Sequence, residues 1–242
     1  MLNATYEVFH TDTGNHLRNK VYDEILNRVS FLPKLNSPTY YLNTFDKVDE
    51  FTKDNPGFKV QTLEKYDANG KTFPSNSGIC GIWASNYIAY KNFLNSDKEI
   101  LIVFEDDVEI SPNFKTVAKT YMKELPDDWE VFSFYVPNDS LFAYNSAAHD
   151  VPGANFICKS YQQWAMCGYA VNRKSAQKIV DDIETKGIEA PIDWYLFNFR
   201  MHPRFLNITF NTYTVKPQAY RPLKLVPQVA DVSTVLTMDQ RD

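Results

Sequence analysis

The sequence predicts one α/β domain with a mostly parallel central sheet flanked by helices. Strand-like and helix-like stretches alternate along the chain. The run Ile100-Leu101-Ile102-Val103-Phe104 is apolar without a break, as a strand covered on both faces must be. With 242 residues and 44% hydrophobic content, the chain is long enough for one full core. Residues 1–242 are therefore read as one domain, with residues 1–38 as an extra β-α element and residues 215–242 as a tail.

In chain order, Tyr6-Glu7-Val8-Phe9 reads as a strand, and Tyr22, Ile25, Leu26 and Val29 then fall at helical spacing. Pro33 and Pro38 end that helix, and Thr39-Tyr40-Tyr41-Leu42 is rich in β-formers. A polar helix follows, closing near Asn55-Pro56-Gly57, and residues 58–63 alternate as a strand does. Trp83, Tyr87, Tyr90 and Leu94 define the buried stripe of the next helix. After the central strand come a helix over residues 114–125, a strand over residues 129–136 and a loop-rich insert over residues 137–163. Ala176, Ile179, Val180 and Ile183 mark a further helix, with Asn172 as its N-cap and Gly187 as its stop. The tail from Val215 is rich in proline and is expected to wrap the surface.

A net charge of −5 argues against a general polyanion binder, because such affinity comes from clustered Lys and Arg. No stretch reaches the roughly 20 apolar residues that span a bilayer, and the first residues lack a charged region followed by an apolar one. The expectation is a soluble, cytoplasmic protein. Cys80, Cys158 and Cys167 form no Cys-x-x-Cys pair and read as reduced, packed thiols.

The central strand stops at Glu105-Asp106-Asp107. If extended geometry persists, Glu105 and Asp107 point one way and Asp106 the other, so that two carboxylates converge on one cleft. Mg²⁺ and Mn²⁺ prefer oxygen ligands and are usually held by one or two carboxylates with substrate phosphates. Strand ends are also where open α/β sheets bind ligands. The plainer alternative is that the triplet only leaves the core and caps the next helix, for which Ser111-Pro112-Asn113 offers a better cap.

Taken together, Gly81-Ile82-Trp83-Ala84-Ser85-Asn86, Ile102-Val103-Phe104-Glu105-Asp106-Asp107-Val108 and Gly168-Tyr169-Ala170-Val171 resemble glycosyltransferase family 25 in content and order. Tyr41-Leu42-Asn43, Tyr66-Asp67-Ala68-Asn69-Gly70 and Val226-Pro227-Gln228 with Ser233 extend the likeness over residues 39–234. The family's Ser-His pair is here Ser85-Asn86, and its Arg-rich stretch is replaced by Thr44-Phe45-Asp46-Lys47.

The resemblance implies a GT-A-type, Rossmann-like domain acting on a nucleotide diphosphate donor, with UDP the expected nucleotide. It implies Mn²⁺ or Mg²⁺ bound by Asp107 and Glu105, with Asp106 beside the donor. It places Asn43 and Thr44 by the base, Asp67 and Asn69 near the base or ribose, and Ser85 in the donor site.

An inverting transfer needs a carboxylate to take the acceptor proton. Asp193, which follows Pro191 and precedes Trp194 and Tyr195, is the first candidate, set against an ordinary helix cap. Asp139 in Pro137-Asn138-Asp139 is the second, set against a solvated loop acid. Trp164 and Trp194 are candidates for stacking on sugar, and His202 for an extra metal ligand. His10, His16 and His149 fall in no pattern that assigns them a role.

The acceptor stays open among a glycan, a protein side chain and a modified nucleobase. For the last, Arg200, Arg204, Arg221 and Lys224 are the nearest basic cluster. The competing readings are a phosphatase-like hydrolase, whose acidic strand usually opens the chain, and a non-catalytic glycan- or nucleic-acid-binding protein on a degenerate transferase scaffold.

Overall fold

The computed structural model describes residues 2–10, 14, 16–61, 77–136, 144–160, 165–188, 191–197, 210–220 and 226–227. The first half holds strand β1 (Ala4–Phe9), helices α1 (His16–Val29), α2 (Phe45–Asp54) and α3 (Ser77–Leu94), strands β2 (Ile100–Glu105) and β3 (Val108–Glu109), and helix α4 (Phe114–Met122). The second half holds β4 (Val131–Ser133), α5 (Ser146–His149), β5 (Ile157–Lys159), β6 (Gly168–Asn172), α6 (Arg173–Thr185), α7 (Ile192–Leu196), β7 (Thr212–Val215) and β8 (Val226–Pro227). Among the described residues, no helix is long and apolar enough to cross a membrane.

Six strands form one sheet in the order β1-β2-β6-β4-β7-β5, while β3 and β8 pair apart from it. The sheet is mostly parallel in direction: β1, β2, β4 and β7 run one way, and β6 and β5 run against them. It separates two cores. Leu101 and Val103 of β2 pack with Tyr169 and Val171 against α2, α3, α6 and α7. Ile102 and Phe104, on the opposite face, pack with β1, α1 and α4. This burial on both faces explains the unbroken apolar run of β2.

Helix α3 is enclosed, with Trp83, Tyr87, Tyr90 and Phe93 all buried. Helix α6 has the ends that its sequence announces. Asn172 Oδ1 accepts from Ser175 N at 2.8 Å, a cap worth about 1 kcal/mol, and Gly187 at φ +83° takes the left-handed turn that glycine tolerates.

Four expectations need correction. Residues 39–42 form no strand, because the Tyr40 N–H is taken by Ser85 Oγ at 2.8 Å instead of a neighbouring strand. Within residues 58–61 the ladder is a single bridge, Val60 to Ile188. The insert of residues 137–163 is not all loop, since it supplies β5, which pairs with β7. The tail does not only wrap the surface: Val215 is fully buried and pairs with Ile157, and Val226–Pro227 pairs with Val108–Glu109.

Candidate functional site

β1 and β2 pair in parallel with Phe9 opposite Glu105, so both strands end level and His10 emerges beside Asp106. β2 stops at Glu105, and Asp106 and Asp107 form a turn before β3. The alternation expected through the triplet therefore ends one residue early. Glu105 continues the face of Leu101 and Val103, whereas Asp106 and Asp107 are both reached from α1.

On the α1 side, Arg18 Nε lies 3.2 Å from Asp106 Oδ1, and Arg18 Nη2 donates to Asp107 Oδ2 at 3.4 Å. His10 Nδ1 lies 3.0 Å from Asp106 Oδ2, and its ring stacks on Tyr22 with centroids 4.1 Å apart. Arg18 and Tyr22 are four residues apart on one helical face, so a single face of α1 reaches Asp106 directly and through His10. Burial pushes the Asp107 carboxyl up, and Arg18 works against that rise.

On the other side, the Glu105 backbone N–H donates to Cys167 O at 3.3 Å. Burial first, then the charges of Asp107, Asp106 and Asp193, push the Glu105 carboxyl up to about 7. No cationic side chain pairs with it among the described residues. Asp193 is held by two N–H groups: Ala165 N to Oδ2 at 3.0 Å and Trp194 N to Oδ1 at 3.0 Å. Burial raises the Asp193 pKa, and these two N–H groups oppose the rise. Ala165 delivers its N–H from a left-handed φ of 67°, a conformation that costs a non-glycine residue about 1–2 kcal/mol. Asp193 sits inside the first turn of α7, and Pro191 takes the cap position.

Behind Glu105 runs a buried polar chain. The Tyr90 hydroxyl meets that of Tyr169 at 2.6 Å, and Tyr169 donates to Asn86 Oδ1. All three side chains are fully buried.

The nucleotide candidates are more scattered. Asn43 is exposed, and Thr44 caps α2 by accepting from Lys47 N at 3.4 Å. Ser85 is buried, and its hydroxyl accepts from Tyr40 N and donates to Gly81 O at 2.9 Å. A Cβ at Gly81 would come within 3.1 Å of Leu42 N and Tyr40 O, so Gly81 and Ser85 together let residues 40–42 lie directly on α3. Trp194 is half-buried beside Asp193. Asp67, Asn69, Asp139, Trp164 and His202 lie outside the described residues, as do Arg200, Arg204, Arg221 and Lys224.

Among the described residues no three His, Cys, Asp or Glu side chains form a metal-holding group. A divalent ion that shares substrate phosphates and water needs only one or two carboxylates. Glu105 and Asp107 meet that smaller demand: both are oxygen donors, and Glu105 faces its acidic neighbours without a cation.

The sequence model of glycosyltransferase family 25 (LPS biosynthesis protein) matches residues 34–196. The chain belongs to glycosyltransferase family 25. The match takes in α2, α3, β2, β4, β6, α6 and α7 and leaves β1 and α1 outside. Procollagen galactosyltransferase 2 of Mus musculus is 25% identical over 150 residues, which cover 60% of this chain and 23% of that protein. The Homo sapiens protein of the same name is 26% identical over 148 residues, with the same coverage of 60% and 23%. The chain thus spans about a quarter of the length of these relatives. Among solved structures, a glycosyltransferase involved in the glycosylation of the major capsid of PBCV-1 aligns with TM-score 0.48 and 12% identity, over 96% of this chain and 94% of that one.

His10 and Arg18 are the site residues that sequence reasoning missed. Their one linear signal is a cation in the first turn of α1, where no acidic residue accompanies it and the helix dipole disfavours it.

Proposed function

We propose that this chain transfers a sugar from a UDP-sugar to an acceptor hydroxyl with inversion, in the presence of Mn²⁺ or Mg²⁺. The supporting observation is that Glu105, which has no cationic partner among the described residues, and a fixed, half-buried Asp193 stand together at the end of the central strand. Family membership makes a glycosyl transfer the first chemistry to assign to that pair.

On this reading Asp107 and Glu105 are the oxygen donors to the cation. When bound, the cation offsets the charge that develops on the departing diphosphate. Asp106, engaged by His10 and Arg18, orients its neighbours. Asp193 faces the acceptor. As the bond between the anomeric carbon and the phosphate oxygen breaks, the acceptor oxygen bonds to that carbon from the opposite face, and its proton passes to Asp193. Each Asp193 oxygen accepts one N–H and retains capacity for this proton. Its burial, which raises the pKa, makes it a stronger base than an exposed aspartate. Trp194, next in the chain, offers a flat apolar surface for a sugar ring. Asn43 and Thr44 lie on the segment assigned to the base, and Ser85 supports that segment from α3. The acceptor is a glycan, a protein side chain or a modified nucleobase.

The test is donor binding and slow donor hydrolysis over UDP-, GDP-, CMP- and TDP-sugars, with Mn²⁺ or with EDTA. UDP-galactose comes first because the matched relatives are named galactosyltransferases. Metal-dependent binding of one donor in the wild type, lost in Asp107→Ala, is expected. Binding that ignores the metal, or no binding to any donor, would return the chain to the degenerate-scaffold reading.

A further inference from the structure

We propose that Arg18 is a built-in counter-cation of the acidic turn, which keeps free divalent metal out until a donor diphosphate arrives with it. The proposal rests on the donor reading above and adds to it an order of binding.

The contact is made by one side chain on two consecutive acids. Arg18 Nε is 3.2 Å from Asp106 Oδ1, and Nη2 is 3.4 Å from Asp107 Oδ2. The Arg18 side chain is only 13% exposed, so solvent screens this charge less than it would on the surface. Asp106 has its second oxygen against His10 Nδ1 at 3.0 Å, with His10 stacked on Tyr22 one turn along α1. Both Asp106 oxygens therefore face groups that β1 and α1 supply, and Asp107, which accepts from Arg18 Nη2, is the carboxylate that Arg18 would share with any incoming cation.

The location of Arg18 also argues that it is held for this purpose. It occupies the first turn of α1, where the positive end of the helix dipole works against a guanidinium. The two carboxylates offset that local cost. β1 and α1 fall outside the family match over residues 34–196, so the counter-cation is supplied to the family's acidic motif by a unit the match does not contain.

The electrostatic consequence follows from counting signs. With Arg18 on Asp107, a bare divalent ion at the same carboxylate meets a fixed like charge at short range. A nucleoside diphosphate brings enough negative charge for both cations to be held at once. Metal affinity thereby becomes conditional on the nucleotide. Groups adjacent to a metal's own ligands commonly alter affinity by about 10- to 100-fold.

Mn²⁺ binding to the full 242-residue chain, read by the EPR signal of the free ion with and without UDP, tests this without turnover. In the wild type, UDP is expected to tighten Mn²⁺ at least tenfold. Arg18→Gln and Arg18→Met, which remove the charge, are expected to tighten Mn²⁺ alone at least tenfold and to reduce the gain from UDP below threefold. Arg18→Lys keeps the charge and should stay within threefold of the wild type. The result is read on whichever neutral variant keeps the wild-type circular dichroism. The proposal is overturned if the neutral variants bind Mn²⁺ alone no more tightly, or if wild-type Mn²⁺ and UDP bind independently of one another. Failure of the donor reading looks different: the wild type then binds neither Mn²⁺ with UDP nor UDP with Mn²⁺, before any variant is made.

Discussion

The two flanks of the acidic turn treat the same kind of charge in opposite ways. Toward α1, Asp106 and Asp107 meet the Arg18 guanidinium, with His10 against Asp106, so Arg18 supplies the opposing charge from within the fold. Toward α3, β6 and α7, Glu105 is tied to Cys167 through its backbone N–H and the Asp193 carboxylate accepts two backbone N–H groups, which hold it in place without cancelling its charge. Half-buried carboxylates without a cation are costly, and on the proposed reading the flank that keeps two of them at a strand end is the one that meets a ligand. On the proposed reading, Arg18 and His10 fix the geometry of the turn, while Asp107, Glu105 and Asp193 are the carboxylates that meet donor and acceptor.

The comparison breaks most visibly at Asp193. Asp193→Asn keeps the side-chain shape and removes the base, so kcat is expected to fall by roughly 10²- to 10⁴-fold. The Mn²⁺-dependent affinity for UDP should stay within about threefold, because in this assignment Asp193 faces the acceptor and not the diphosphate. Kinetics and calorimetry on the same variant check this. An equal loss of UDP affinity would move Asp193 to the donor side.

A smaller effect is expected from Tyr169→Phe. It leaves Asn86 Oδ1 and the Tyr90 hydroxyl, both buried, without their shared partner, at a cost of about 1–3 kcal/mol. Urea denaturation should show the loss, with UDP affinity little changed. A large drop in UDP affinity at unchanged stability would instead make the Asn86-Tyr169-Tyr90 chain part of the ligand-binding flank.

Glu7 sharpens the comparison as an internal control. It is buried on β1, on the same face of the sheet as Glu105 by the strand register, and burial pushes its carboxyl up to about 7 from 4.5. The folded state therefore holds that proton more tightly than the unfolded chain. The stability it contributes is fully present below about pH 4.5 and is lost as pH rises through about 7. Glu7→Gln is expected to remove this dependence and to stabilise the protein at pH 8 by on the order of 1–2 kcal/mol. Denaturation midpoints at pH 5 and pH 8 check it, and Mn²⁺ with UDP should leave the Glu7 share unaltered.

What the sequence disclosed is what short stretches decide for themselves. The continuous apolar run of β2 and the Asn172 and Gly187 ends of α6 are local signals, and both are present in the fold. Asp193 was singled out through Pro191 and the aromatics beside it, and the fold sets it within the electrostatic reach of Glu105. Arg18 and His10 were not, because their role depends on β1 lying parallel to β2 with Phe9 opposite Glu105. No spacing within residues 1–30 carries that pairing. Thr39 to Leu42 misled for the converse reason. Strand propensity is a preference for a half-buried, paired environment, and this segment lies on α3, with its Tyr40 N–H given to Ser85. β5 was missed because Ile157–Lys159 is three residues long, and only β7 beside it makes it a strand.

The pairing of Val108 with Pro227 bears on where the molecule can be handled. Ala4 lies opposite Ile100 at the far end of the β1–β2 ladder, about 17 Å from the acids at a strand rise of about 3.3 Å per residue. The β3–β8 ladder begins one residue beyond Asp107. A purification handle or a fused module leading into β1 therefore stands a sheet's length from the cleft. One leading out of β8 starts beside the acidic turn, opposite Val108, one residue beyond Asp107.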